Sequence, residues 1–212
     1  MRDPSRRAAL ALSPVALLAA CAREAPPAPV EGPAISYRHL TPLRLDVASV
    51  EVDAGAPLTG PRDIGRELSP SAIEAVRIMG RDRLAALGAQ GGARFSVTQA
   101  AIVPERLPAG GGLFAAQPGE RLTGTFACRL DILDANGRRV AFCEAQTTRV
   151  RTTEQATPAS RRNAAESLMR LAVFDLNTEF EFQLRRALRP YLVEGSGAAP
   201  AAPVEREALP PA

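Results

Sequence analysis

Histidine and cysteine, two of the side chains that most often perform chemistry, are few in this chain of 212 residues. His39 is the single histidine, and Cys128 and Cys143 are fifteen positions apart, without the close cysteine spacing that holds a metal. Glycines 110–112 lack the lysine and the serine or threonine that follow them in a phosphate loop. The sequence therefore predicts no catalytic residue, no metal site, no cofactor and no enzymatic activity.

The N-terminus combines positive charge with a short apolar run. Arg2, Arg6 and Arg7 precede the apolar residues 8–20, and Cys21 follows two alanines. This layout is typical of a secretory signal peptide, and the run is shorter than the roughly 20 residues that cross a bilayer as a helix. We therefore predict a signal peptide at residues 1–20.

Residues 18–21, Leu-Ala-Ala-Cys, resemble the bacterial lipobox. The resemblance implies that Cys21 becomes the first mature residue and carries a diacylglyceryl thioether and an amide-linked acyl chain such as palmitate, which together form a lasting anchor. Ala22 is not the aspartate that retains enteric lipoproteins at the inner membrane, so the resemblance implies the periplasmic face of the outer membrane. The alternative is an ordinary signal peptide with an unmodified cysteine.

The export route stays open. Residues 5–10 are also similar to a twin-arginine signal, although Ala9 stands where that family has an aromatic residue. Either route leads to the same mature chain.

Composition divides the mature chain into a folded domain between two proline-rich segments. We assign residues 21–40 to lipid attachment and a tether, residues 41–193 to a single domain, and residues 194–212 to a disordered tail. The signal peptide contributes +2 of the chain's net charge of +3, so the mature chain is nearly neutral. No basic stripe is interleaved with aromatic residues, which argues against a nucleic-acid partner.

Two helices are predicted from apolar spacings of three and four. The first begins after Ser69, or after Ser71 with Glu74 as an alternative capping box, and ends at Gly88. The second covers about residues 160–192. Its predicted core face contains Met169, Val173, Leu176, Phe180, Leu184, Ala187 and Tyr191.

Two strands are predicted from alternation of apolar and polar residues. Residues 43–53 alternate with a change of phase that a bulge near Ala48 would explain. Residues 93–105 form the next strand, which ends at Pro104. Its predicted buried face contains Phe95, Val97, Ala101 and Val103.

A hairpin follows, with its turn at residues 134–137 and Gly137 in the left-handed conformation. A three-residue loop pairs residues whose numbers sum to 272, which places Phe142 on the same face as Cys128 and turns Cys143 to the other face. We therefore predict a buried Cys128 thiol and no disulfide between the two cysteines.

The element order β-α-β-β-β-α predicts an α+β fold: a two-layer sandwich in which a four-stranded, mostly antiparallel sheet carries both helices on one face. Behind a lipid-attached cysteine and a tether, this order resembles the periplasmic lipopolysaccharide-assembly lipoproteins, and also the auxiliary lipoproteins of ABC-type lipid transporters. The first resemblance implies a domain that plugs an outer-membrane barrel and contacts lipopolysaccharide through basic residues.

Two apolar features are predicted to contact a partner or a lipid. Leu113 and Phe114 follow the glycine run in a loop, where they form either a mobile finger or part of the core. Leu171, Phe174 and Phe182 form a second ridge on the last helix, which either packs on the other helix or is a docking face.

The sequence thus predicts a non-enzymatic adaptor or plug in the assembly or transport of lipopolysaccharide or another envelope lipid. Its partners would be the membrane, through the N-terminal lipid, and an outer-membrane or transport-complex protein. The alternatives are an envelope hydrolase and a scaffold that binds peptidoglycan or protein.

Overall fold

The chain is described here by a computed structural model, which covers residues 34–53, 55, 57, 60–108, 119–154 and 156–193. Its elements in chain order are β1 (Leu43–Leu45), β2 (Ser49–Asp53), α1 (Ala72–Arg83), β3 (Leu84–Ala86), β4 (Gly92–Arg106), β5 (Glu120–Leu133), β6 (Arg139–Thr153) and α2 (Pro158–Ala187). Short 3-10 turns lie at Gly65–Glu67 and Arg189–Tyr191.

The main sheet has the strand order β2-β4-β5-β6, and β1 and β3 form a small parallel sheet of their own. β2 runs parallel to β4, whereas β4, β5 and β6 are antiparallel. Both helices pack on one face of the main sheet, where Phe95 lies edge-on to Phe180 of α2 with ring centroids 5.4 Å apart. On α1, Gly80 allows close approach, because a Cβ there would lie 2.7 Å from the Phe95 ring. The predicted two-layer α+β sandwich is confirmed.

The first predicted strand is two strands that belong to different sheets. The chain leaves β1 after Leu45, turns through residues 46–48 and enters β2 at Ser49. Within the turn the Ala48 N–H donates to the Gln90 carbonyl at 3.1 Å. The bulge predicted near Ala48 is therefore wrong, because the change of phase marks a change of sheet.

Helix α1 begins as one alternative predicted and ends earlier than expected. The Ser71 hydroxyl accepts from the Glu74 N–H, so Ser71 is the N-cap and the start after Ser69 is wrong. The helix stops at Arg83, five residues before Gly88, because Leu84 becomes extended and pairs with β1. Pairing buries Leu84 in the core, and this burial stabilises the chain more than helix propensity would stabilise a longer α1.

Strand β4 contains an irregularity between Val97 and Gln99 that reverses the faces of its second half. Beyond it, Ile102 points into the core, and the predictions that Ala101 and Val103 share the face of Phe95 are wrong. The strand also continues past Pro104, to Arg106.

The β5–β6 turn has Gly137 at a φ of 75°, as predicted, but the register differs from the predicted one. An irregularity between Ile132 and Leu133 shifts the ladder, so that Leu130 lies opposite Cys143. Cys143 is therefore buried on the core face, and its predicted position on the other face is wrong.

The same shift sends Phe142 to the face of the sheet opposite the helices. Its side chain is 48% exposed, although the prediction placed it on the core face with Cys128. The Arg129 guanidinium lies 4.1 Å from the ring centroid, a cation–π contact that covers part of the ring. Cys128 is buried, as predicted, and both thiols are free.

Helix α2 is one continuous helix, as predicted, although it spans Pro158–Ala187 and Tyr191 lies in the following 3-10 turn. Thr157 is the N-cap, since its hydroxyl accepts from the Ser160 N–H at 3.1 Å. The helix packs mainly on β6 and β5. Its buried side chains are Ala164, Ala165, Leu168, Met169, Ala172, Val173, Leu176, Asn177, Phe180 and Leu184. Ala187 is exposed, so its predicted position on the core face is wrong.

Candidate functional site

The outward side of α2 carries a line of exposed apolar side chains. Leu171 is 45% exposed, Phe174 is 55% exposed and Phe182 is 57% exposed. They are spaced by three and eight residues, with the exposed Thr178 between the two phenylalanines, which places all of them on one side of the helix. We call Leu171, Phe174 and Phe182 the α2 ridge.

The α2 ridge does not pack on the other helix. α1 meets α2 on its buried side, where Arg83 bonds to Asn177, whereas the ridge residues are about half exposed. This is the exposure that the docking interpretation requires, and contact with a partner or lipid stays a prediction. Leu113 and Phe114 lie outside the described residues, as do Cys21, the predicted signal peptide and the predicted tail.

Polar contacts border the ridge. Ser167 accepts from Arg151 at 2.8 Å and Asp175 pairs with Arg149, so the side of α2 next to Leu171 is bonded to β6. Nearer the C-terminal end, Glu181 accepts from Arg185 and Glu179 accepts from Gln183. An apolar centre with a polar border is the usual arrangement of a protein interface.

A buried arginine fixes α2 against α1. Arg83 is 2% exposed, and it donates to Asn177 Oδ1 at 2.8 Å, to a Glu181 carboxylate oxygen and to the Thr41 carbonyl. Burial lowers the pKa of Arg83, while the Glu181 charge opposes that effect. The group therefore locks the helix that carries the ridge, and it has a structural role.

No prediction from the sequence included Arg83. The sequence does contain a signal for its burial, because Arg83 follows Val76, Met79 and Gly80 at helical spacings on the buried face of α1. An arginine within an apolar helical stripe needs buried partners, which here come from the other helix.

The residues before β1 are also bonded to the helix layer, although they were predicted to belong to the tether. Tyr37 is 4% exposed, and its N–H donates to Asp82 Oδ2 at 2.8 Å. Burial and the nearby Asp175 charge raise the pKa of the Tyr37 hydroxyl to about 12. Burial acts to raise the pKa of Asp82, but its hydrogen bonds outweigh that effect and lower it.

The side chains that could act in catalysis are not grouped. His39 is exposed, and within the described residues no three or more His, Cys, Asp or Glu side chains are placed to hold a metal ion. Burial raises the pKa of Cys143 to about 12 and that of Cys128 well above its usual value, so neither thiol is primed as a nucleophile. The buried Asp63 accepts from the N–H groups of Gly65 and Ile102, which is a structural role.

Two cavities are lined by described residues of the helix layer and β1. One of about 180 Å³ lies between the 3-10 turn at Gly65–Glu67 and the start of α2, and one of about 220 Å³ lies beside β1. Both are below the roughly 300–1,000 Å³ of a small-molecule site. Among the described residues, no helix is both long and apolar enough to cross a bilayer.

Comparisons with known proteins give only loose likenesses. No protein-family model matches the chain, and no curated protein matches it. Solved structures of similar chain trace include a neuraminyllactose-binding hemagglutinin homolog from Helicobacter pylori, with a TM-score of 0.39 and 5% identity, covering 72% of this chain and 91% of that one.

Bacterial lipoproteins are among these structures. A minor lipoprotein from Acinetobacter baumannii has a TM-score of 0.33 and 17% identity, over 72% of this chain and 99% of that one. Lipoprotein B from Nitrosomonas europaea has a TM-score of 0.37 and 19% identity, over 68% and 86%. Scores this low are insufficient to transfer a function.

Proposed function

We propose that this chain is a lipid-anchored lipoprotein on the periplasmic face of the outer membrane, where it acts as a non-enzymatic adaptor or plug in the assembly or transport of lipopolysaccharide or another lipid. The observation that carries the proposal is the exposed α2 ridge on a helix locked by the buried Arg83. The resemblance of residues 18–21 to a lipobox supports the anchor.

The ridge by itself is a weak docking site. Full burial of a leucine or phenylalanine contributes about 1.5–3 kcal/mol, so covering the exposed half of three such side chains contributes about 3 kcal/mol. Even before the cost of association is subtracted, that gain corresponds to a dissociation constant only in the millimolar range. A partner in solution would hardly be bound at physiological concentration.

The membrane anchor compensates for the weak affinity of the ridge. A tether of the length between Cys21 and Ala34 has a root-mean-square reach of about 20 Å if flexible and at most about 40 Å in a polyproline conformation. Confinement within that distance of the membrane raises the effective concentration toward a membrane-embedded partner without any added contact. Anchor and ridge are therefore expected to act together.

The test compares variants of the full chain in a strain that lacks the protein. Phe174→Ser/Phe182→Ser should retain normal abundance but lose the proteins and lipids that co-purify in mild detergent. Leu87→Ser is the matched control, because Leu87 is equally exposed at 57% but lies outside the ridge, and it should retain them. Retention of every co-purifying molecule by the double variant would show that the ridge is not the docking site.

The anchor is tested separately. Replacing Cys21 with serine behind an ordinary signal should give a folded, abundant protein that fails to restore the strain. Full restoration would refute an adaptor that works at the membrane, and it would favour an enzyme or scaffold that acts in solution.

A further inference from the structure

The two edges of the main sheet differ in how they are protected. β2, at one edge, is only five residues long and carries Glu51 and Asp53. β6, at the other edge, is fifteen residues long, contains no proline and pairs with β5 without interruption from residue 141 to residue 153. Natural proteins blunt such edges with short strands, prolines, bulges or charged side chains. Over that length β6 has no proline and no bulge, and its charged side chains are Glu144, Arg149 and Arg151.

Apolar side chains stand along this edge on the face opposite the helices. Val140 is 50% exposed, Phe142 is 48% exposed and Val150 is 58% exposed. In the α2 ridge the exposed groups belong to a helix, whereas here they belong to a strand whose outer backbone groups have no partner strand among the described residues. The edge therefore offers both a hydrogen-bonding ladder and apolar contacts, which is what strand addition uses.

The sequence of β6 is complementary to itself. An antiparallel pair of β6 strands in which the residue numbers of each pair sum to 292 places Gln146 on the two-fold axis and overlaps the regular residues 141–151 of both copies. This register places Phe142 opposite Val150 of the second copy, and the reverse pair forms by symmetry. The match between Phe142 and Val150 therefore selects this register.

The charged side chains agree with that register. Glu144 falls opposite a threonine, Thr148. Arg149 and Arg151, which are bonded to α2, fall opposite Cys143 and Ala141. Within the paired residues 141–151 no two like charges are directly opposite, so the pairing avoids the direct like-charge repulsion that disfavours edge association.

We propose that a second copy of this chain pairs with β6 edge to edge, antiparallel about a two-fold axis at Gln146, and joins two four-stranded sheets into one. Such an interface is isologous and closes with two copies. Phe142 and Val150 lie on the face opposite α2, so the proposal is independent of the α2 ridge and of the function proposed for it.

Cross-linking of the full chain in native envelopes tests the register. In the Gln146→Cys variant the two new cysteines face each other, with Cβ atoms about 4.5–5.5 Å apart, and mild oxidation should convert most of the protein to a disulfide dimer. Thr148→Cys is the matched control, because its counterpart lies four residues away, at about 13 Å, and it should stay monomeric. The parent chain measures the background from its own cysteines.

Several results would overturn the proposal. They are a cross-link at position 148 in place of 146, a cross-link from position 146 to a different protein, and a Gln146→Cys variant whose new thiol reacts with maleimide but forms no dimer. Each excludes a second copy in this register.

Sedimentation in mild detergent provides the second measurement. Val150→Asp places a carboxylate opposite Phe142 of the second copy, so the dimer should dissociate to a monomer. Leu87→Asp introduces the same charge at an equally exposed apolar position outside the edge and should leave the dimer intact. A parent chain that sediments as a monomer, or a Val150→Asp variant that stays dimeric, contradicts the proposed interface.

Discussion

Arg83 is the side chain whose replacement should most clearly show how the helix layer is held together. Substitution by methionine keeps much of the side-chain volume but removes the donors to Asn177, Glu181 and the Thr41 carbonyl. Glu181 is 32% exposed and keeps its bond to Arg185 at 2.8 Å, so it is not left without a partner. Asn177 is 4% exposed and loses its buried donor.

The expected loss of stability follows from these partners. A hydrogen bond to a charged group contributes about 1.5–3 kcal/mol, and an unsatisfied buried amide costs about 1–3 kcal/mol. Relief of the desolvation of the Arg83 charge offsets part of this cost. We therefore expect Arg83→Met to lower the free energy of unfolding by about 3 kcal/mol.

A double-mutant cycle distinguishes the polar network from simple packing. Asn177→Leu in the Arg83→Met background removes the stranded amide, and the pair should recover to within about 1 kcal/mol of the parent. Urea unfolding followed by circular dichroism gives both values, with an unchanged slope as the check on two-state behaviour. A loss below about 0.5 kcal/mol for Arg83→Met, or no recovery in the double variant, would refute the reasoning.

Three further predictions concern other parts of the chain. Both buried thiols should react with a thiol reagent at pH 8 only after unfolding, since the pKa of Cys143 is about 12; rapid labelling of the native protein would contradict this. Glu120 is 2% exposed and its pKa is lowered by hydrogen bonds from an arginine, so its stabilisation is present above the unfolded carboxyl pKa of about 4.3 and lost as pH falls through the folded value. Acid titration should therefore destabilise the parent more steeply than Glu120→Gln, and equal slopes would count against the ion pair. Leu113→Ser/Phe114→Ser should change the melting temperature by less than about 2 °C if these residues form an exposed finger, whereas a drop of several degrees would place them in the core.

Some elements followed from the sequence because their signals are local. The alternation of β5 and the apolar stripe of α2 depend on side-chain periodicity within one element, and the left-handed Gly137 depends on the chemistry of one turn. The apolar α2 ridge was also visible as a second stripe. Periodicity alone, however, allowed either burial or exposure of that stripe, and only the position of α1 decided between them.

Which residues of a strand face the core could not be read from the sequence. One extra residue in a ladder reverses every side chain beyond it, and the irregularities after Val97 and Ile132 each did so. The second irregularity moved Cys143 into the core and Phe142 to the surface. Such a residue is set by the pairing of neighbouring strands, which has no local signature.

The sequence by itself determined the order of elements and the α+β class, because periodicity and turn chemistry act over a few residues. Tertiary structure decided where α1 ends, since pairing of Leu84 with β1 competes with one more helical turn. It also decided which polar side chains are buried, because the partners of Arg83 lie more than 40 residues away in the chain. Contacts between distant segments form only when the layers pack, so they cannot be predicted from short-range sequence patterns.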